Sequence, residues 1–411
     1  MTKLEKTYLI QNIGVFLLIL GYFGLPVSTF TPGAILGFGA LLYRWKVLGV
    51  KPDCLQLSFK KPLAFMAFFA LCLFLSSSQG TNASLSLEAA RSQVHWWRPC
   101  FFLMVLFNDR REFYQAVCGA FALGVLSLLY AAADSVRAFL NHQIPVMDGG
   151  FMNHNLFAAF LNLLLPWLVI GTYQYTRNRF LKGLGFILIL LGVAGVALSA
   201  SRGAVIALGV TALILALLHL KNWRYLVLTL MALALLAGVS LSNQKIASRF
   251  IYSPDQVESI DKLGGVVKSR EFGRLFVWEG AWNMFQDHPA FGVGLYNFNT
   301  NYRNHYMLPE APEPELEHAH NTMLQRLAET GLVGSSGFWV LIFYQFGYMF
   351  KHRKDKGRSG IFLAGLAVIL IVLMHGLVDY FFGLALYCRI FWMQWAVCYC
   401  AGEAGKLVSK D

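Results

Sequence analysis

Residues 183–220 read GLGFILILLGVAGVALSASRGAVIALGVTALILALLHL, two apolar runs joined through Ala200-Ser201-Arg202-Gly203-Ala204. Arg202 is the only Lys, Arg, Asp or Glu in that stretch. Crossing the hydrocarbon core of a bilayer takes about 20 apolar residues as a helix, so each run is close to one crossing. The join leaves almost no loop. The stretch therefore reads as two transmembrane helices turning sharply at an arginine, and the rest of the chain repeats the pattern. Apolar runs at 8–29, 31–50, 62–78, 92–107, 113–136, 156–176, 183–200, 203–220, 223–241, 327–350, 360–378 and 381–400 predict about twelve spans.

Composition agrees. Hydrophobic residues make up 57% of the 411, charged residues 14%, and the mean hydropathy is +0.53. A soluble domain averages about 45–50% apolar and 25% charged. Membrane barrels alternate over segments of about 10 residues and lack such unbroken runs. The expected fold is thus an all-α integral membrane protein, with 1–241 forming nine spans, 242–326 one long polar segment, and 327–411 three spans and a tail.

The net charge of +12 is a topology signal. With a cytoplasmic N-terminus, Lys3, Lys6, Arg44 to Lys61, Arg110, Arg111, Arg177 to Lys182, Lys221, Arg224, Lys351 to Arg358, Lys406 and Lys410 fall in inside segments, most of the Lys and Arg present. Short cytoplasmic loops carry this excess, so no nucleic-acid partner is implied. The first apolar run lacks a small-x-small cleavage site and is expected to stay as the first span. Of seven cysteines, Cys72, Cys100, Cys118, Cys388, Cys398 and Cys400 fall in predicted spans and Cys54 in an inside loop, so no disulfide framework is expected.

Chemistry is expected in the polar segment and beside it. An ionisable group at membrane depth is expensive and reads as functional unless it reaches the headgroups. Arg202 is such a group, with a guanidinium suited to holding phosphate bidentately. Ser269 can cap a helix running to about Phe285, along which Arg270, Arg274, Trp278 and Trp282 recur every four residues, the mixture of an interfacial helix. Glu317-His318-Ala319-His320-Asn321 opens the next span. On a helix starting there, Asn321, Gln325 and Glu329 share a face that a water-filled cavity would accept and lipid would not. A histidine beside such a cavity can accept a proton near neutrality. His-x-His without a clear third ligand leaves a metal site incomplete, and no metal is assigned. Lesser features are Gly149 to Asn155, where Asn155 can line a cavity, and His375 with Asp379, four apart, which can form a buried ion pair.

Taken together, Ser201-Arg202-Gly203-Ala204, then Gly273-Arg274 to Trp278 followed by His288-Pro289-Ala290-Phe291-Gly292-Val293-Gly294, then His320-Asn321 with Glu329-Thr330-Gly331-Leu332-Val333-Gly334, resemble the O-antigen ligase and polymerase superfamily in order and spacing over roughly 150–380. The resemblance implies a multi-span, GT-C-like glycosyltransferase of the bacterial inner membrane with its site facing the periplasm. Such an enzyme moves a glycan from undecaprenyl diphosphate to lipid A-core oligosaccharide without metal, nucleotide or other cofactor. By position, His320, Arg202 and Arg274 match the superfamily's essential residues, while Arg270, His318, Asn321 and Asn155 are expected around the substrates. His318 departs from the pattern and leaves open which histidine acts. An O-antigen polymerase or a protein oligosaccharyltransferase shares the same motifs. A lipid-linked glycan transporter is a rival of another class, but neither inverted repeats nor paired broken helices are visible. Arg389, in the last and unusually aromatic span, fits none of these roles.

Overall fold

The computed structural model describes residues 1–23, 28–133, 137, 153–218, 233–234, 237–238, 270–309, 311 and 316–408, with the side chains of 270–273 excepted. The span expected at 223–241, the polar stretch from 242 to the Ser269 cap, the turn at 149–152 and the Arg270 side chain lie outside what is described. Among the described residues the protein is helical, without a strand: α1 (Lys3–Leu20), α2 (Phe30–Lys46), α3 (Lys60–Ser78), α4 (Ala83–His95), α5 (Arg98–Leu106), α6 (Arg111–Ala131), α7 (His154–Ile170), α8 (Arg179–Leu198), α9 (Arg202–Leu217), α10 (Arg270–Asp287), α11 (Phe298–Asn301), α12 (Thr322–His352), α13 (Ser359–His375) and α14 (Ala385–Val408). Five helices, Lys60–Ser78, Arg111–Ala131, His154–Tyr175, Arg179–Leu198 and Thr322–His352, are long and apolar enough to cross a membrane. The protein is an all-α membrane protein.

One expected crossing is divided. Residues 92–107 do not form a single helix: α4 ends at His95, and the nine-residue α5 starts at Arg98 with Pro99 in its first turn. At 1.5 Å per residue, α5 covers about 14 Å, well short of the ~30 Å hydrocarbon core.

Central and peripheral helices differ in what they bury. Along α7 72% of the most apolar window is buried, along α8 only 22%, so Phe180, Leu181, Ile187 and Leu191 of α8 face outward, as a lipid-facing helix requires. Inside, the Trp167 indole of α7 donates to Gln394 Oε1 of α14 at 3.0 Å, and Gln394 Nε2 donates to the Leu163 carbonyl at 3.0 Å. In a medium without water such polar groups must find partners within the protein. Lipid tails offer no hydrophobic drive for helix association, so close backbone approach takes its place. Between α1 and α2 a Cβ on Gly14 would lie 2.3 Å from Gly37 N.

The basic segments expected to share one face do meet at one end of the bundle. There Arg358 pairs with Asp109, which also accepts from Tyr114 at 2.8 Å. Arg111 donates to the Gln174 and Tyr175 carbonyls, and Gln174 to that of Gly357. Arg44 and Arg110 cover the Tyr8 ring at 4.2 and 3.8 Å.

The opposite end holds the polar segment, clasped into a break in α12. Gly331 has φ 55° and ψ −162°, which no helix continues. The chain at 289–294 lies in that break: Val293 N donates to the Ala328 carbonyl, Gly294 N to Glu329, Leu332 N to Pro289 and Val333 N to Ala290, all at 2.8–3.0 Å. Ser76 Oγ of α3 donates to the Phe291 and Thr330 carbonyls. The contact is backbone on backbone, since a Cβ at Gly292 would fall 2.4 Å from Glu329 C and one at Gly331 2.5 Å from Ala290 C. Two of the sequence motifs are therefore the two halves of one joint. Above it Val277, Ala281 and Met284 of α10 pack with Val293, Phe298, Tyr302, Ala319 and Ala328 in a second, smaller core.

Candidate active site

The site is built on the turn between α13 and α14 and on the chain entering α12. Asn321 caps α12: its Oδ1 accepts from Met323 N at 2.9 Å and Leu324 N at 3.1 Å, the role for which an Asn is favoured at a helix start. Its Nδ2 donates to the Leu377 carbonyl at 2.9 Å. Thr322 N donates to the Gly376 carbonyl at 2.7 Å and Thr322 Oγ1 to that of Asp379 at 3.1 Å. Asn321 thus acts on position, locking the His320 strand to the 376–379 turn.

That lock brings His320 onto Asp379. His320 Nδ1 lies 3.1 Å from Asp379 Oδ1, with the imidazole 21% exposed and the carboxylate 4%. Asp379 Oδ1 also accepts from Tyr380 N at 2.9 Å. Burial would raise the Asp379 carboxyl, but the hydrogen bond with His320 and the fields of His320, His375 and His318 outweigh it and hold it at about 2. An ionised carboxylate only accepts, so His320 Nδ1 is the donor of the pair and Nε2 is the ring nitrogen not engaged by Asp379. His320 itself has φ +47°, a left-handed backbone that side chains rarely adopt and that surrounding structure must enforce.

The expected ion pair between His375 and Asp379 does not form. Helix α13 ends at His375, so residue 379 is not one turn further along it. Asp379 N donates to the His375 carbonyl at 3.0 Å, but the carboxylate turns to His320 and His375 Nδ1 is buried without a hydrogen-bond partner. The polar face expected along α12 does not line a cavity either: Gln325 Oε1 accepts from Ala319 N at 2.6 Å and Glu329 Oε1 from Tyr296 N at 2.8 Å. Both side chains hold loop backbone in place.

Of the two arginines expected in catalysis, Arg274 acts by its charge on histidines of this site, and the residue after Arg202 packs on the turn. Arg202 begins α9, two residues after Ala200, whose φ of 55° makes the sharp corner. The next residue, Gly203, packs so closely that a Cβ there would lie 2.5 Å from Val378 and 2.9 Å from the His375 ring. Buried Asn162 donates to the Ala204 carbonyl at 3.0 Å and fixes the corner to α7. Arg274, on α10, is close enough for its charge to act on both His318 and His375. His318 rests against the His320 ring at 4.3 Å between centroids and takes the His320 backbone N–H on its Nδ1 at 3.3 Å. Burial, with the fields of His320 and Arg274, pushes the His318 imidazole down to about 4, so it is neutral near pH 7. Among the described residues no contact joins Asn155 to this group; its backbone N donates to the Asn153 cap.

A third donor changes the metal question. One ligand atom each from His318, His320 and Asp379 lies within 4.8 Å of the others, and two imidazoles with a carboxylate form a familiar zinc set. Sequence reading stopped at two histidines because Asp379 lies in another element and its spacing pointed to His375.

Residues 184–339 match the O-antigen ligase family profile. Over that stretch the chain is similar to the O-antigen ligase family. The matched stretch carries Arg202, Arg274 and His320 and both halves of the Gly292–Gly331 joint, and it stops before Asp379. No curated protein matches the chain.

Proposed function

We propose that the protein is an O-antigen ligase, transferring a glycan from undecaprenyl diphosphate to lipid A-core oligosaccharide at the periplasmic face of the inner membrane. The observation that carries the reading is the His320–Asp379 pair, with the charge of Arg274 acting on the neighbouring His318 and His375 and the Gly203 corner after Arg202 packed on His375.

In the reaction, an acceptor sugar hydroxyl attacks the anomeric carbon of the lipid-linked glycan. Its proton passes to His320 Nε2 as the new C–O bond forms. The bond from the anomeric carbon to the diphosphate breaks, and its electron pair leaves with the phosphate oxygen. Asp379 stabilises the imidazolium so formed and keeps Nε2 turned to the substrate, the role of an orienting carboxylate beside a histidine base. Arg202 and Arg274 meet the charge that accumulates on the leaving diphosphate, where preorganised donors typically contribute about 10²–10³ in rate. One displacement inverts the anomeric centre. The inside-positive reading of the basic end supports a site on the periplasmic side, where an O-antigen acceptor is exposed.

Ligase, polymerase and protein oligosaccharyltransferase differ only in the acceptor. Purified protein given a lipid-linked glycan and, in parallel, lipid A-core, a second lipid-linked glycan or an acceptor protein is expected to glycosylate lipid A-core alone. Transfer to either other acceptor, with none to lipid A-core, would replace the reading by the corresponding activity. The three-donor group favours a second, metal-assisted reading, and EDTA separates the two: transfer is expected to survive it, whereas loss restored by a divalent ion would assign His318, His320 and Asp379 as ligands.

A further inference from the structure

A second group of cations stands on α4, α5 and α14, none of which carries a residue of the His320 site. Arg98 is the first residue of α5 and Arg91 lies in α4; both are exposed, as is His95. Arg389, in the second turn of α14, is half-buried, with its guanidinium 5.6 Å from the centre of the Tyr22 ring just past α1. The charges of Arg98 and Arg389 both act on Tyr22, and those of Arg98, Arg389 and Arg91 all act on His95. Among the described residues no carboxylate is among the charges acting on Tyr22 or His95. Among the described residues none of the three arginines makes an ion pair, and Glu88, one turn before Arg91, does not pair with it. The flanks are aromatic, with Tyr22 on Phe30 at 5.5 Å and Trp97 on Trp392 at 5.8 Å.

The group sits at the same end of the bundle as the His320 site. Ser86 of α4 donates to the Leu295 carbonyl, Asn297 Nδ2 donates to Ser86 Oγ at 2.9 Å, and Arg326 of α12 donates to Gln93 Oε1 at 3.2 Å. Like charges held together without a counter-ion repel one another, and the repulsion is relieved when an anion arrives between them. A guanidinium pair framed by aromatic rings at a membrane edge matches a lipid phosphate: the rings lie at headgroup depth and the cations meet the phosphate oxygens. A transferase that joins two lipids needs two headgroup sites, and Arg202 with Arg274 accounts for one.

We infer that Arg98 and Arg389, assisted by Arg91, bind the phosphate of a second lipid, the phosphorylated glycolipid acceptor, and so hold its sugar hydroxyl within reach of His320. The occupant's identity as acceptor rests on the reading given under Proposed function; the phosphate chemistry does not.

The test is binding of fluorescent lipid A to the full-length chain in detergent, with no donor present. Lipid A should bind saturably, and dephosphorylated lipid A should compete at least about 10-fold more weakly. An Arg98→Gln, Arg389→Gln double variant should lose about 10- to 100-fold in affinity, while Arg98→Lys, Arg389→Lys, which keeps the charges, should recover part of it. Arg274→Ala should still bind lipid A. Equal competition by dephosphorylated lipid A on the wild-type chain would overturn the inference whatever the variants do. So would competition by phosphatidylglycerol or inorganic phosphate as strong as that by lipid A, which would show a general attraction for anions. A chain that binds lipid A through this pair but transfers no glycan would keep the inference and remove the ligase reading. Transfer with an unchanged acceptor KM in the glutamine double variant would do the reverse.

Discussion

Gly331 and His320 both take a positive φ, 55° and 47°, at the same end of the molecule, and their surroundings differ in what they leave unsatisfied. At Gly331 the neighbouring backbone donors and acceptors are taken up by residues 289–294, and the side chains of Ser76, Thr81 and Asn297 donate to carbonyls of the joint. At His320 the backbone is held as firmly, through the Asn321 cap and the Thr322 contacts, yet the carboxylate beside it keeps Asp379 Oδ2 buried and unpartnered, and His375 Nδ1 likewise. Buried polar groups are normally paired, and these two atoms are exceptions beside the imidazole. Strain at the first place builds a scaffold. Strain at the second aims a base.

The contrast can be broken from either side. Gly331→Ala should have the largest effect, because the new Cβ would meet Ala290 C at 2.5 Å in a conformation that alanine resists. It should cost at least about 2 kcal/mol and yield little monodisperse protein on gel filtration; a variant with wild-type melting behaviour would contradict the joint. His320→Ala should leave folding unchanged and lower transfer by about 10²–10⁴, the usual contribution of a positioned base. Asp379→Asn keeps the imidazole but removes the acceptor of its Nδ1 proton, and should reduce kcat by about 10- to 100-fold with little change in KM. A KM effect alone would place Asp379 in substrate binding.

The smallest effect concerns His318. Its imidazole titrates near 6.5 when free and near 4 in the folded chain, so the unfolded chain binds more protons between those values. Folding stability therefore rises with pH through that window and is lost as pH falls through it. In His318→Gln the melting temperature in detergent should fall less between pH 6.5 and 4 than in the wild type; an identical fall would mean that His318 is not what senses the acid.

The part of the fold set by hydrophobic run length was legible without coordinates. Most expected spans coincide with helices, and the basic segments assigned to one face do meet, as the contacts among Arg358, Asp109, Arg111 and Gln174 show. The break at 96–97 was not legible, because Trp96 and Trp97 are as apolar as any span residue and only Pro99 marks the new start. Arg202, Arg274 and His320 could be named because each stands in a short motif of fixed order. Asp379 could not: its partner is 59 residues away, and a helical spacing to His375 offered a nearer and mistaken one. Residues 327–350 read as one unbroken span, and nothing in either of the two later motifs alone says that Gly292 and Gly331 touch.

The account depends most on the guanidinium groups and His320 acting on one substrate. The direct measurement is the rate and stereochemistry of glycan transfer to lipid A-core by purified protein in EDTA, for wild type, Arg274→Ala and His320→Ala. The account predicts an inverted linkage from the wild type, a loss of about 10²–10³ for Arg274→Ala, and a loss at least as large for His320→Ala, with all three proteins equally folded. Retention of configuration, or transfer at the wild-type rate by either variant, would contradict it.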